Sequence, residues 1–192
     1  ASPRLERLAH TKIIQYNYSE ALENINLALL WNPSSEQAHL QAALYSLYSQ
    51  NFSKSIDLCQ AIKSSSHLRR REIIEALSKK YLQLKGEQKY LALPHLMALI
   101  SETSRIYLTA NNQDRPVKTS LHISNYAYTQ NYSLDEKILI AEQAMKLSNP
   151  FPNNWKLLAT QHGSKINIDL SAQKKIYRLD ALARLPLHSL NL

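Results

Sequence analysis

Apolar and small residues recur at three- and four-residue spacings early in the chain, as Tyr18, Ala21, Ile25 and Ala28 show, and that is the period of one helix face. Helices are predicted over residues 4–15 and 19–31, joined by a tight turn through Tyr16-Asn17-Tyr18. Asn32-Pro33 closes the second, because a residue before proline is pushed out of helical geometry. Ser34-Ser35-Glu36-Gln37 opens a third helix that runs to about Tyr48, with Ser34 as the cap and Gln37 reaching back in a capping box. A fourth is predicted over residues 53–63, followed by a loop at Ser64-Ser65-Ser66. Further helices are expected at 67–85, 94–109, 119–130, 134–147, 153–162 and 171–185. Pro94 suits a first helical turn, and Ser133 with Glu136 forms a second capping box. The polar run Asn111-Asn112-Gln113-Asp114-Arg115-Pro116 reads as a loop or hinge. The expectation is one helical domain over 1–192, with possible sub-units 1–110 and 117–192.

An internal repeat organises this pattern. Asn17-Tyr18-Ser19 recurs as Asn51-Phe52-Ser53, and again as Asn131-Tyr132-Ser133. At the shift from the first triplet to the second, Ala9 matches Ala43, Ala21 matches Ser55 and Ile25 matches Cys59, so small residues fall on small and apolar on apolar. The triplets also satisfy the N-x-S glycosylation pattern. Their recurrence at one inter-helix turn favours a structural role, with Asn in the turn, the aromatic plugging the pair and Ser capping the next helix.

A helix pair in every roughly 34 residues, with Tyr18, Ala21, Ile25, Ala28 and Pro33 at aromatic, small, large apolar, small and proline positions, resembles the tetratricopeptide repeat. The resemblance covers residues 4–63 most strongly and 119–185 more weakly, where Trp155, Leu158 and Ala159 match the spacing that opens a repeat. Leu5 stands at the family's usual tryptophan and Ala9 at its glycine. The resemblance implies an all-α fold, a right-handed solenoid of antiparallel helix pairs with a degenerate middle. It also implies a concave groove lined by the first helix of each pair, with Glu6, His10, Ile13, Gln37, Leu44 and Tyr48 turned toward a bound peptide or partner helix.

Composition supports helices over sheet: the sequence holds 32 Leu and 15 Ile against a single Val117, and only Gly86 and Gly163 as glycines. The single Cys59 excludes an internal disulfide, so packing alone holds the fold. No apolar run approaches the roughly 18 to 20 residues of a membrane helix, and the chain reads as soluble. It begins at Ala1-Ser2-Pro3, without an initiator Met or a signal segment, which reads as a processed chain or a piece of a longer one. His10, His39, His67, His95 and His122 are regularly spaced, but no two histidines sit at i, i+3 or i+4, and there is no HExxH or CxxC. Neither a nucleophile elbow nor a glycine-rich phosphate loop occurs, and Cys59 falls at an apolar repeat position. No metal, cofactor or catalytic residue is therefore expected.

Charge is unevenly placed. Between Lys63 and Lys89 lie eight basic residues against three acidic, five of the chain's net eight positive charges. Arg69, Arg70, Arg71, Lys79 and Lys80 form the candidate basic patch. Two functions follow: a non-catalytic interaction module holding a peptide or partner helix in its groove, and an auxiliary helical domain of a larger bacterial machine. That machine would be a membrane-bound glycan polymerase or ligase, or an RNA-handling enzyme, and the basic stretch would contact its polyanion. Net charge permits an anionic partner, nucleic acid included, without selecting one.

Overall fold

The structure is a computed structural model describing residues 2–104, 119–149, 157–172, 176 and 178–192. Eight helices are packed in sequential pairs among them: α1 (Ser2–Ile14), α2 (Tyr18–Trp31), α3 (Glu36–Tyr48), α4 (Phe52–Gln60), α5 (Leu68–Lys85), α6 (Leu93–Thr103), α7 (Thr119–Ala127) and α8 (Leu134–Ser148). The predicted loop 111–116, Trp155, and the later part of the helix expected at 94–109 lie outside the described residues.

The repeat register is visible in the backbone. Tyr16 and Gln50, one repeat apart, both take a left-handed φ, at 56° and 57°. The following amides, of Asn17 and Asn51, donate to the Lys12 and Ser46 carbonyls one helical turn back, each at 2.8 Å, which ties off a helix C-terminus in a Schellman turn. Asn17 and Asn51 then accept from the backbone amides of Glu20 and Lys54 and cap the next helices. The caps are thus the asparagines, not Ser19 and Ser53. In the third triplet the frame shifts: Ser133 caps α8 in a reciprocal box with Glu136, as expected, and the Tyr132 hydroxyl donates to the Leu91 carbonyl at 2.7 Å. Ser35 rather than Ser34 caps α3, accepting from the Ala38 amide, while Ser34 turns to the Asn32 side chain.

Small residues sit where the repeat puts them. Ala9, Ala21, Ala28 and Ala43 are fully buried, and the Ser55 hydroxyl donates to the Ala43 carbonyl at 2.8 Å across the α3–α4 crossing. Replacing Ala21 or Ala28 with leucine is expected to overpack these crossings and lower stability by about 1 to 3 kcal/mol in urea titrations. A pair of variants melting like the parent would show that the close approach is absent.

The fold is not all-α. Instead of helices over 153–162 and 171–185, the described residues carry strands β1 (Leu158–His162), β2 (Lys165–Asp169) and β3 (Leu187–Asn191), with a single 3-10 turn at Asp180–Leu182. β1 and β2 form an antiparallel hairpin, and β2 pairs with β3 in parallel. Leu158 and Ala159, expected to open a repeat helix, lie in β1. The cause is local: Lys165-Ile166-Asn167-Ile168-Asp169-Leu170 alternates with period two, burying Ile166, Ile168 and Leu170. Gly163, at φ 59°, occupies the first position of the two-residue hairpin turn.

The segment that leads from β2 into β3 is pinned to the helices by buried amides. Asn125 on α7 donates to the Asp180 carbonyl at 2.8 Å and accepts from the Arg184 amide at 2.9 Å. Asn149, just past α8, makes the same two-way bond with the backbone of Arg178, and the Tyr128 hydroxyl donates to the Ala181 carbonyl.

Candidate functional surfaces

α7 packs against α3, which carries three of the positions expected to line a groove, Gln37, Leu44 and Tyr48. α3 is buried nearly all round, from Ala38 through Tyr48 with only His39 half-exposed, and α7 is likewise buried apart from Tyr126. Neither segment carries a charged residue between Gln37 and Gln50 or between Thr119 and Ala127, so both can lie inside. The Tyr48 ring stacks on the His122 ring of α7 with centroids 4.7 Å apart and planes 18° apart. Tyr16 packs on the same imidazole at 5.4 Å, Tyr18 meets it edge-on, and the Tyr18 hydroxyl donates to the His122 carbonyl at 2.7 Å.

Of the six groove positions, Ile13, Leu44 and Tyr48 are buried, and Glu6, His10 and Gln37 are half-buried. Glu6 accepts from the Ser35 hydroxyl, tying α1 to the start of α3. α7 covers α3 at Tyr48. Burial in the aromatic cluster, with His10 adding a smaller effect, pushes the His122 imidazole down to about 3. Desolvation raises the Tyr16 hydroxyl to about 12 and the Tyr48 hydroxyl further still. At neutral pH the cluster is uncharged, and His122 Nδ1 finds no hydrogen-bond partner among the described residues.

The basic stretch lies mainly along α5 and is partly occupied within the chain. Lys79 pairs with Glu75 at 2.6 Å and Lys80 with Glu102 of α6, exposed pairs that offset the local field more than they stabilise the fold. Arg71 donates to the Ile62 carbonyl at 3.0 Å, while Arg69 is exposed and Arg70 half-exposed. Cys59, whose thiol burial pushes up to about 12, is a core residue.

A surface that sequence reasoning missed lies on α2. Leu27, Leu30 and Trp31, at i, i+3 and i+4, share a helix face, and Leu30 and Trp31 are 77% and 71% exposed. The signal was present, because Tyr18, Ala21, Ile25 and Ala28 already complete the inward face and leave this apolar triad on another side. A second surface is the polar side of the sheet, where Asn167, Asp169, Ser189 and Asn191 border a shallow concavity of about 470 Å³. Beside it the exposed rings of His162 and His188 stack at 4.1 Å.

Among the described residues no group of three or more His, Cys, Asp or Glu side chains is placed to hold a metal ion, and no helix is long and apolar enough to cross a membrane. No family model, curated protein or solved structure matches the chain.

Proposed function

We propose that the chain is a non-catalytic interaction scaffold of tetratricopeptide-like helix pairs, wound as a right-handed solenoid, that receives an amphipathic helix of a protein partner. The repeat part of this reading rests on the register shared by α1 with α3 and α2 with α4, down to the paired left-handed residues Tyr16 and Gln50. The interaction part rests on the exposed triad Leu27, Leu30 and Trp31. A solvent-facing tryptophan flanked by two leucines on a helix otherwise closed by its inner face is the composition of a binding anchor. Tyr48 then serves as a seat for α7, and the contact moves to the exposed face of α2.

The polyanion reading draws on the start of α5 around Arg69, but Arg71, Lys79 and Lys80 already have partners within the chain. A photo-crosslinking residue placed at Leu30 and, separately, at Arg69 distinguishes the two in cells that make the protein. The expected result is a discrete adduct from position 30 that Leu27→Asp abolishes, with the helical circular dichroism signal unchanged and stability within about 0.5 kcal/mol of the parent. An adduct from position 69 alone, lost on raising salt, would replace this reading with the polyanion one.

A further inference from the structure

Alternation sets the outer face of the sheet. Ile166 and Ile168 of β2 are buried, so Lys165, Asn167 and Asp169 take the other side. Directly paired residues share a face, which puts Thr160 of β1 and Ser189 of β3 on either side of Asn167. In the same way Leu158 and Asn191 flank Asp169. These side chains border the concavity of about 470 Å³, a volume within the range of small-molecule sites.

Hydrogen bonds within the face fix how its polar atoms are aimed. The Ser189 hydroxyl donates to Asn167 Oδ1 at 2.9 Å, which leaves the Asn167 amide hydrogens to donate outward. Asn191 Nδ2 donates to Asp169 Oδ1 at 3.2 Å, which leaves the Asn191 oxygen to accept. The same Asp169 oxygen takes the Ser171 amide at 2.9 Å and the Ser171 hydroxyl at 2.6 Å, so Oδ2 is the further acceptor. Thr160 adds a hydroxyl that can do both.

Charge narrows what this face can hold. The Ser171 bonds, and after them the Asn191 bond, keep the Asp169 carboxyl below its ordinary value, so it is ionised at neutral pH. Its hydrogen-bond partners among the described residues are all neutral, and the carboxylate repels an anionic ligand. Lys165 on the same face, in a chain of formal net charge +8, disfavours a cationic one. The chemistry left is that of an uncharged ligand with neighbouring groups that each donate and accept, and with an apolar side for Leu158, which is 54% exposed. Vicinal hydroxyls on a sugar ring meet both demands: a hydroxyl donates to the carboxylate while accepting from the carboxamide, and the C–H face covers the leucine.

We infer that the outer face of the sheet binds a neutral saccharide, with Asp169 and Asn191 accepting from its hydroxyls, Asn167 donating to them and Leu158 packing on its C–H face. This site is separate from the exposed face of α2 and works without it.

The test titrates the full chain, labelled with nitrogen-15, with maltose, cellobiose, lactose and N,N′-diacetylchitobiose at millimolar concentrations and follows the amide resonances. Saturable shifts confined to residues 158–160, 167–169 and 189–191 are expected from at least one of the four. Asp169→Asn and, separately, Asn167→Ala should each weaken that binding about tenfold with the circular dichroism spectrum unchanged, while Lys165→Ala, outside the concavity, should leave it as it is. Spectra unmoved by all four sugars, or shifts centred elsewhere, would overturn the site. Glucuronate or glucosamine binding more tightly than glucose would overturn the assignment of a neutral ligand.

Discussion

Tyr48→Ala is expected to destabilise the fold by about 3 to 5 kcal/mol, the cost of truncating a fully packed aromatic. The ring is buried between α3 and α7 against His122, and its loss leaves a cavity that two helices fixed by further contacts cannot close. Tyr48→Phe, which keeps the ring and removes only the hydroxyl, should cost at most about 1 kcal/mol. Urea denaturation followed by circular dichroism at pH 7 reads both. A Tyr48→Ala variant as stable as the parent would mean that α7 does not pack on this ring, and would return Tyr48 to the role of an exposed anchor.

Acidification is expected to destabilise the protein through His122. An unfolded imidazole titrates near 6.5, whereas burial holds the folded one down to about 3, so the unfolded state binds more protons throughout that window. Stability therefore falls as pH drops below 6.5, by about 1.4 kcal/mol per pH unit once well below that value, or about 2 kcal/mol between pH 7 and pH 5. The carboxylates held below their usual range, Glu20 by Lys12 and Asn17, Glu36 by the Lys63 amide and Asp169 by Ser171, stabilise the fold in their charged form and lose that contribution only at lower pH. His122→Phe preserves a ring against Tyr48 and should flatten the slope between pH 7 and pH 5. An unchanged slope in that variant would place the titrating group elsewhere.

The helices were legible because their signals are local. Asn17, Asn51 and Ser133 mark starts, Pro33 marks a stop, and the recurrence of small residues fixes the crossings. The exact caps were less so, since Asn and Ser two residues apart offer the same side-chain chemistry and only the Schellman turn decides between them. Burial of α3 and α7 on all sides could have been read from their lack of charge, but a repeat viewed alone suggests an open inner face. Nothing in residues 36–48 announces that a helix much later in the chain covers them. The sheet was missed for a different reason. A single valine and two glycines describe the whole chain, while a strand needs only a short run of alternation and a hairpin only one glycine in the right place, here Gly163. The match of Leu158 and Ala159 to a repeat opening was too short to outweigh that alternation.

On the proposed function α7 packs on α3 and a partner takes the exposed face of α2, and native-state hydrogen exchange, read by mass spectrometry on the full chain, tests that packing most directly. Amides of residues 119–127 are expected to exchange as slowly as those of 38–48, both far slower than the solvent-facing amides at the start of α5. Rapid exchange across 119–127 beside a slow 38–48 would contradict that packing, leaving α7 as a loose cover over an open groove.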